Sequence, residues 1–400
     1  MRLQLIRLVP GFVALALVAG APAVSAGEAG ALPPATANAM AQTASPQAIA
    51  EYRRKLQEYQ EARAAFEQDA GAYWNAITEK RRGRNAKRRD RVQITLDDYV
   101  LEQPPVYAGP KRPVNPAPDE EEGGKPPRPP KTLPVVSDLL RAAAEQFQFT
   151  PQRPSSEVEF KRVYARYARA AGLTPEQAVR VYSFETGGTG TYDVQAGIEH
   201  GGKRAISTAM GYNQLLTTNS VELLAEQGHE FIKELAERVA ATTGPARKAM
   251  EHKLAVLKKM VAFTRTVPDD WSAHQRLADT AQGWACHAMV LDIDVGPMLQ
   301  THKLLTSVIF ARAKGYNRPL TAAELEMMNL TGDGTGLDMV TMPQAMREQV
   351  PTSNFFQRSG YERNPVAIRN NTVAKLLAIT NERMDFNSNK PGARELAAAF

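Results

Sequence analysis

The stretch TPEQAVRVYSFETGG, residues 174–188, decides the fold and points to the chemistry. Thr174 is a good N-cap, and Pro175 suits the first position of a helix. Four residues then recur at i, i+3, i+4 and i+7 and share one helix face: Ala178, Val181, Tyr182 and Glu185. The pattern predicts an amphipathic helix that ends at the following glycine pair.

Glu185 is a carboxylate at the end of this apolar face, and it is a candidate general acid. A carboxylate among apolar groups is costly to ionise, so its pKa rises and it can hold a proton near neutrality. The simpler alternative is a helix-end glutamate whose carboxylate reaches water beyond the last turn. The helix pattern alone leaves both interpretations open.

The rest of residues 135–400 is predicted to be mainly α, because helical periodicity dominates and strand-like alternation is nearly absent. Residues 187–207 are polar and glycine-rich and indicate a loop or small hairpin. Thr321 and Glu324 form a capping box. The other helices are expected at about 160–171, 221–241, 246–266, 279–314 with a break at Gly296-Pro297, and 372–383.

The N-terminal third has a different organisation. Arg2 and Arg7 precede a short apolar run and a small-residue cleavage site, which is typical of a secretory signal peptide. Four segments are predicted before the main domain: a signal peptide at 1–26, a disordered Ala/Pro-rich stretch at 27–47, a helix at 48–79, and a basic run with a Pro-rich linker at 80–134.

Export and charge limit the possible partners. The mature protein is expected to be periplasmic or secreted and not an integral membrane protein, since the apolar run is short and interrupted. A net charge of +6 and a pI of about 9.2 suit an anionic partner such as a cell-wall polymer. Nucleic acid is disfavoured, an envelope protein could bind the N-terminal helix, and the single cysteine excludes an intrachain disulfide.

A second motif follows the candidate helix at residues 207–216, which read STAMGYNQLL. With Glu185 it resembles the lytic transglycosylases of the soluble, lysozyme-like type. In that family a helix ends in Glu-Ser, and a Ser-x-x-Gly-Ala-x-Gly-Leu-Met-Gln-Leu type segment follows. This chain matches at Glu185, Ser207, Gly211, Gln214 and Leu215, while Thr186 replaces the serine and keeps its hydroxyl.

Two weaker similarities come next in the family's order. Asp292-Ile293 with Gly296 is similar to an Asn-Ile-x-x-Gly helix. Met328-Asn329 is similar to the Tyr-Asn of an Ala-Tyr-Asn-Ala-Gly segment, with methionine where the family usually has tyrosine. The resemblance covers roughly residues 158–334 and implies a lysozyme-like helical domain.

The resemblance also implies a reaction with one carboxyl group. Glu185 would protonate the glycosidic oxygen of peptidoglycan and then act as base while the 6-hydroxyl of muramic acid attacks the anomeric carbon, giving a 1,6-anhydro product. Thr186 and Asn329 would orient Glu185 or the substrate, and Tyr212 and Gln214 would line the sugar groove. Seven residues are the implied substrate contacts: Thr186, Ser207, Gly211, Tyr212, Gln214, Met328 and Asn329.

Alternatives remain open at this stage. Asp193 or Glu199 could supply the second carboxylate of a true muramidase. A wall-binding or scaffold protein could keep the groove without turnover, and Gly211, Tyr212 and Gln214 could each serve only a turn, the core or local backbone. No cofactor or metal is expected, since the sequence has no zincin pair and no phosphate-binding lysine loop.

Overall fold

Helices build the part of the chain that the computed structural model describes, residues 45–116, 133–198 and 204–400. The mainly-α prediction is confirmed: across these three ranges no β-strand forms, and only isolated bridges such as Gln195 with Met210 occur. No described helix is both long and apolar enough to cross a bilayer. The predicted signal peptide, most of the 27–47 segment and residues 117–132 of the linker lie outside the described residues.

The chain divides into two compact units. The larger unit contains Leu133–Glu348 and Val373–Phe400, and the smaller unit contains the described residues before 117 together with Gln349–Thr372. The sequence placed all of residues 135–400 in one domain. Residues 349–372 belong instead to the smaller unit, because their side chains and carbonyls bind its helix.

The smaller unit is organised by helix α1, Pro46–Arg89. The predicted helix at 48–79 is present, but it continues to Arg89 through most of the basic run, which the sequence analysis had placed outside the helix at 80–134. Arginine and lysine are good helix formers, and the carbonyls of Asn354 and Phe356 accept hydrogen bonds from Arg81 at 3.0 and 2.8 Å. Arg84 is fully buried and donates to the carbonyl of Asp98 at 2.9 Å.

The α-helices of the larger unit follow in chain order. They are α2 Val136–Phe147, α3 Glu157–Ala170, α4 Pro175–Thr186, α5 Thr217–Ala241, α6 Gly244–Thr264, α7 Trp271–Ala278, α8 Ala281–His287, α9 Gly296–Ala313, α10 Ala322–Thr331, α11 Asp333–Thr341, α12 Gln344–Arg347, α15 Val373–Ser388 and α16 Pro391–Ala399. The intervening α13 Arg358–Glu362 and α14 Pro365–Arg369 lie in the smaller unit.

Helix α4 forms as the sequence predicts. The Thr174 hydroxyl accepts the Gln177 amide at 3.1 Å, and the Gln177 side chain accepts the Thr174 amide at 3.0 Å, which makes a capping box. Gly187 ends the helix with a φ of +65°, a left-handed conformation that glycine adopts at little cost. The last turn of α4 therefore has fixed start and stop signals, and Glu185 lies in that turn.

Helices α15 and α16 brace the end of α4. Arg180 binds Asp385, and the Ser183 hydroxyl lies 3.1 Å from that of Ser388. The Gly188 carbonyl accepts the Ala393 amide at 3.1 Å. The sequence predicted a final helix at 372–383, but α15 reaches Ser388 and α16 follows it, so the brace was not foreseen.

Candidate active site

Glu185 is half-buried at the end of α4 and has one hydrogen-bond partner. The Asn329 amide of α10 donates to its Oε1 at 3.1 Å. Its Oε2 is buried and has no partner among the described residues. Burial is the main cause that raises the pKa of Glu185 well above 4.5; the charge of Glu326 raises it further, while Lys303 and Asn329 oppose the change. The carboxyl group therefore favours its protonated form.

Glu326 is the second carboxyl group of the site, and it was not among the residues predicted from the sequence. Its residue is 1% exposed, and it lies one helical turn before Asn329 on α10. Burial raises its pKa to about 7, against the opposing effects of Lys303 and the Asn329 amide. The Asn329 amide donates to Glu185 and also lowers the pKa of Glu326, and the two carboxyl groups repel each other when both are ionised.

Lys303 of α9 is the cation among these carboxyls. It is half-buried, and burial lowers its pKa, while the charges of Glu222, Glu185, Asp333 and Glu326 oppose the fall in that order. A positive charge between carboxyls limits how far their pKa values rise. Lys303 therefore moderates the proton affinity of Glu185.

Further carboxyls extend the site along α5 and α11. Burial raises the pKa of Glu222 to about 7 and that of Glu226 to about 8. Asp333 at the start of α11 accepts the Ser307 hydroxyl at 2.5 Å, and burial raises its pKa. In the described residues, no group of three or more His, Cys, Asp or Glu side chains has an arrangement that could hold a metal ion.

The structure brings together only part of the predicted set. Asn329 contacts Glu185, as described above. The Thr186 hydroxyl instead donates to the Tyr182 carbonyl at 2.7 Å, so its proton is not available to orient the Glu185 carboxylate. The Ser207 hydroxyl accepts the Ala209 amide at 3.1 Å in its own loop.

The prediction that Tyr212 lines a sugar groove is wrong. It is 0% exposed, its ring packs against Phe160, Tyr164 and Tyr182, and its hydroxyl donates to Glu157. A residue enclosed in this way cannot stack on a sugar. The core interpretation of Tyr212 is the one that the structure supports.

Gly211 and Gln214 also have local structural roles. Gly211 has a φ of +78°, and a Cβ there would lie 2.0 Å from Nε2 of Gln300. The buried Gln214 donates to the Gly211 carbonyl at 2.8 Å. Gln300 accepts the Asn213 amide at 2.8 Å and so fixes the turn. These contacts give Gly211 and Gln214 structural roles within their own turn, and Gln214 is directed to the Gly211 carbonyl instead of a groove.

Met328 is likewise buried, with 0% exposure, so it is not a surface contact for substrate. Its Cα would lie 2.4 Å from a Cβ placed on Gly336, which shows how closely α11 approaches α10. Asp193, a candidate second carboxylate, binds Arg153, and Glu199 lies outside the described residues. Neither supplies an observed partner for Glu185.

One signal could have revealed Glu326. Asn329 was already a candidate, and Glu326 precedes it by three positions on the same predicted helix, so both face the same direction. The sequence interpretation searched for family motifs and overlooked this same-face neighbour.

A cavity of about 560 Å³ adjoins the site through Thr186. It is lined by residues of the loop after α4, including Gly190 and Val194, and by the start of α2. This volume lies in the range typical of small-ligand sites. Thr186, the last residue of α4 and the neighbour of Glu185 in sequence, therefore forms part of the wall of this cavity.

Comparison of the chain with protein-family models, curated proteins and solved structures finds no match. The functional assignment therefore depends on the residues and geometry described above.

Proposed function

We propose that the chain is a peptidoglycan-cleaving lytic transglycosylase of lysozyme-like type that uses Glu185 as acid and then as base. The observation that carries the proposal is the Glu185 carboxyl group itself. It is half-buried at a helix end, has a raised pKa, and is held through one oxygen by Asn329. A general acid needs this combination of retained proton and fixed orientation.

The reaction balances with one carboxyl group. Protonated Glu185 gives its proton to the glycosidic oxygen between the two amino sugars as the bond from that oxygen to the anomeric carbon breaks. The muramic acid 6-hydroxyl oxygen then bonds to the anomeric carbon, and its proton passes to the Glu185 carboxylate. The product is a 1,6-anhydro ring, no water is consumed, and Glu185 returns to its starting state.

Glu326 assists this reaction without contacting the substrate. Because it is fully buried, it cannot reach a sugar as the nucleophile of a retaining hydrolase. Its charge raises the pKa of Glu185 and thereby keeps the acid protonated. This division of roles favours the single-glutamate reaction over the muramidase alternative.

The burial of three implied substrate contacts favours a second candidate. Tyr212, Gln214 and Met328 are all enclosed and give a sugar no surface. A periplasmic or secreted wall-binding protein that retains the helical framework without turnover is consistent with that observation. The anionic cell-wall polymer remains the proposed partner in both cases.

The experiment compares the products of the mature protein acting on purified peptidoglycan. Mass spectrometry is expected to find 1,6-anhydromuramoyl ends with the wild type and none with Glu185→Gln, which keeps the size of the side chain but carries no proton to donate. Glu237→Gln, which changes an exposed carboxyl group of α5, is the control and is expected to release the same product. Reducing ends would instead indicate a hydrolase, and binding to sacculi without release would support the wall-binding protein.

A further inference from the structure

The cavity beside Thr186 has polar groups that the proposed reaction does not use. Gln195 lines the cavity and is only 3% exposed. Its Nε2 donates to the Pro134 carbonyl at 2.8 Å and to the Ser207 carbonyl at 3.1 Å, which fixes the orientation of the amide. Its Oε1 is buried and has no donor among the described residues. A buried acceptor without a donor is costly and indicates a place for an N–H or O–H group.

Helix α2 supplies the opposite kind of group. Val136 and Ser137 are its first two residues, and both line the cavity. The first amides of a helix have no intrahelical partner, and no hydrogen bond occupies these two within the described ranges. They are donors at the positive end of a helix dipole, so they favour an oxygen acceptor.

The remaining walls fit a small apolar group. Val136 and Val194 contribute methyl groups beside the polar atoms. Arg153 also lines the cavity, but Asp193 neutralises it and the Tyr192 hydroxyl accepts its Nε–H at 2.6 Å. The cavity therefore offers a donor pair, an acceptor and apolar walls with little net charge.

We propose that this cavity is a subsite for a secondary amide of the substrate. The amide oxygen accepts from the Val136 and Ser137 amides, the amide N–H donates to Oε1 of Gln195, and a methyl group packs against the two valines. A secondary amide carries this acceptor and donor side by side. In peptidoglycan the group has two sources, the acetamido group of a sugar and the alanyl peptide bonds of the stem, and the choice of this polymer rests on the proposed function.

The test measures binding, so it does not depend on turnover. The full mature chain with Glu185→Gln is titrated calorimetrically with tetra-N-acetylchitotetraose, with its deacetylated form, and with a sugar-free alanine-containing stem peptide. Val136→Pro removes one amide donor at a position where proline fits, because Val135 has φ −104° and ψ 171°. Val136→Ala is the matched control, which keeps the amide but shortens the side chain.

Binding of an amide ligand is expected to weaken about tenfold in Val136→Pro and less than about threefold in Val136→Ala. The ligand that shows this difference identifies the source, and the deacetylated oligomer is expected not to bind at the subsite. Gln195→Met, with its folding checked by thermal unfolding, is expected to weaken the same ligand. Equal binding by the two Val136 variants, or no binding of either amide ligand, would overturn the proposal.

The two proposals can fail separately. If the wild type releases no anhydromuramoyl ends but the Val136 variants differ in binding, the subsite stands and the transglycosylase does not. If the anhydro product forms and the variants bind alike, the reaction stands and the subsite does not.

Discussion

Asp292 and Glu185 are both carboxyls withdrawn from water in the larger unit, but their surroundings are opposite. Asp292 accepts the backbone amides of Gln152, Asp294 and Val295 at 2.8, 3.0 and 3.2 Å, and it pairs with Lys253 at 2.9 Å. Glu185 has a single amide donor and one buried oxygen without a partner in the described residues.

The difference separates a structural carboxylate from a candidate acid. Burial raises the pKa of Asp292 as well, but Lys253 and the backbone donors oppose that rise and partly stabilise its anion, and the carboxylate holds the start of α9 in place. Glu185 is poorly stabilised as an anion, and its neighbour Glu326 makes ionisation harder. Burial alone does not indicate function, but burial with too few donors does.

Among the substitutions at these two carboxyl groups, Glu185→Gln should have the largest effect, and that effect is on the rate of turnover. Removal of a general acid is expected to lower the rate of anhydromuropeptide release by about 10³-fold or more. The free energy of unfolding should stay the same or rise, because the neutral amide does not have to bind a proton when the chain folds, as the Glu185 carboxylate does. Release assays and urea unfolding measure the two quantities. Full activity in this variant would show that the site is misassigned.

Asp292→Asn, in contrast to Glu185→Gln, should lower the free energy of unfolding. It leaves the buried Lys253 with a weaker partner, so we expect a loss of about 3–5 kcal/mol in the free energy of unfolding. Asp294→Asn is the control, because Asp294 also pairs with Lys253 but is more exposed, and a smaller loss is expected. Equal losses in urea unfolding would mean that Asp292 is not the main partner of the lysine.

Gly188→Ala tests how strongly the brace positions the loop after Glu185. Gly187 and Gly188 both have positive φ, which costs an alanine about 1 kcal/mol. Only at Gly188 would a Cβ clash with backbone, 2.2 Å from the Asn387 carbonyl oxygen, so about 1–3 kcal/mol more is expected there than in Gly187→Ala. Similar melting temperatures for the two variants would argue against a close brace.

The raised pKa values of Glu185 and Glu326 should make the free energy of unfolding depend on pH. Glu185 and Glu326 ionise near 4.5 when exposed but at higher pH when folded, about 7 for Glu326. Between those values the folded state holds more protons than the unfolded state, so stability falls as pH rises. We expect a fall of about 1–3 kcal/mol between pH 5 and 8. Glu326→Gln should reduce this slope in urea unfolding, and an unchanged slope would remove Glu326 as its source.

Glu326→Gln should also shift the pH profile of the proposed activity. The variant loses the charge that raises the pKa of Glu185, so Glu185 deprotonates at lower pH. Because the acid is active when protonated, the alkaline limb should move to lower pH by about 1 unit. Glu237→Gln, at an exposed carboxyl group of α5, serves as the control and should leave the alkaline limb unchanged. A shift to higher pH would contradict the proposed repulsion.

Local signals in the sequence were enough to predict α4. Thr174, Pro175 and Gly187 mark its ends by capping and left-handed geometry, which depend on near neighbours. The pairing of Asn329 with Glu185 came from motif order. Helix α4 and the contact between Asn329 and Glu185 are both present in the structure, because each was predicted from a short sequence pattern with a direct physical meaning.

Other features depended on partners distant in sequence. Tyr212 looked like a groove residue, but Phe160, Tyr164 and Tyr182 enclose it. The basic run was predicted to lie outside the helix together with the linker, but it is helical, and its Arg84 is buried and donates to carbonyls of its own unit. No local periodicity encodes such contacts, so the lysozyme-like groove remains a proposal while the helical class is confirmed.

The brace on α4 has a consequence for biosynthesis. Ser183 and Ser388 are 205 residues apart in sequence, and the segment that holds Gly188 follows Ser388. The loop beside Glu185 therefore reaches its final position only after that distant segment has been synthesised and has docked. A chain interrupted before this point carries Glu185 without these contacts, so the order of synthesis itself delays the assembly of the proposed active site.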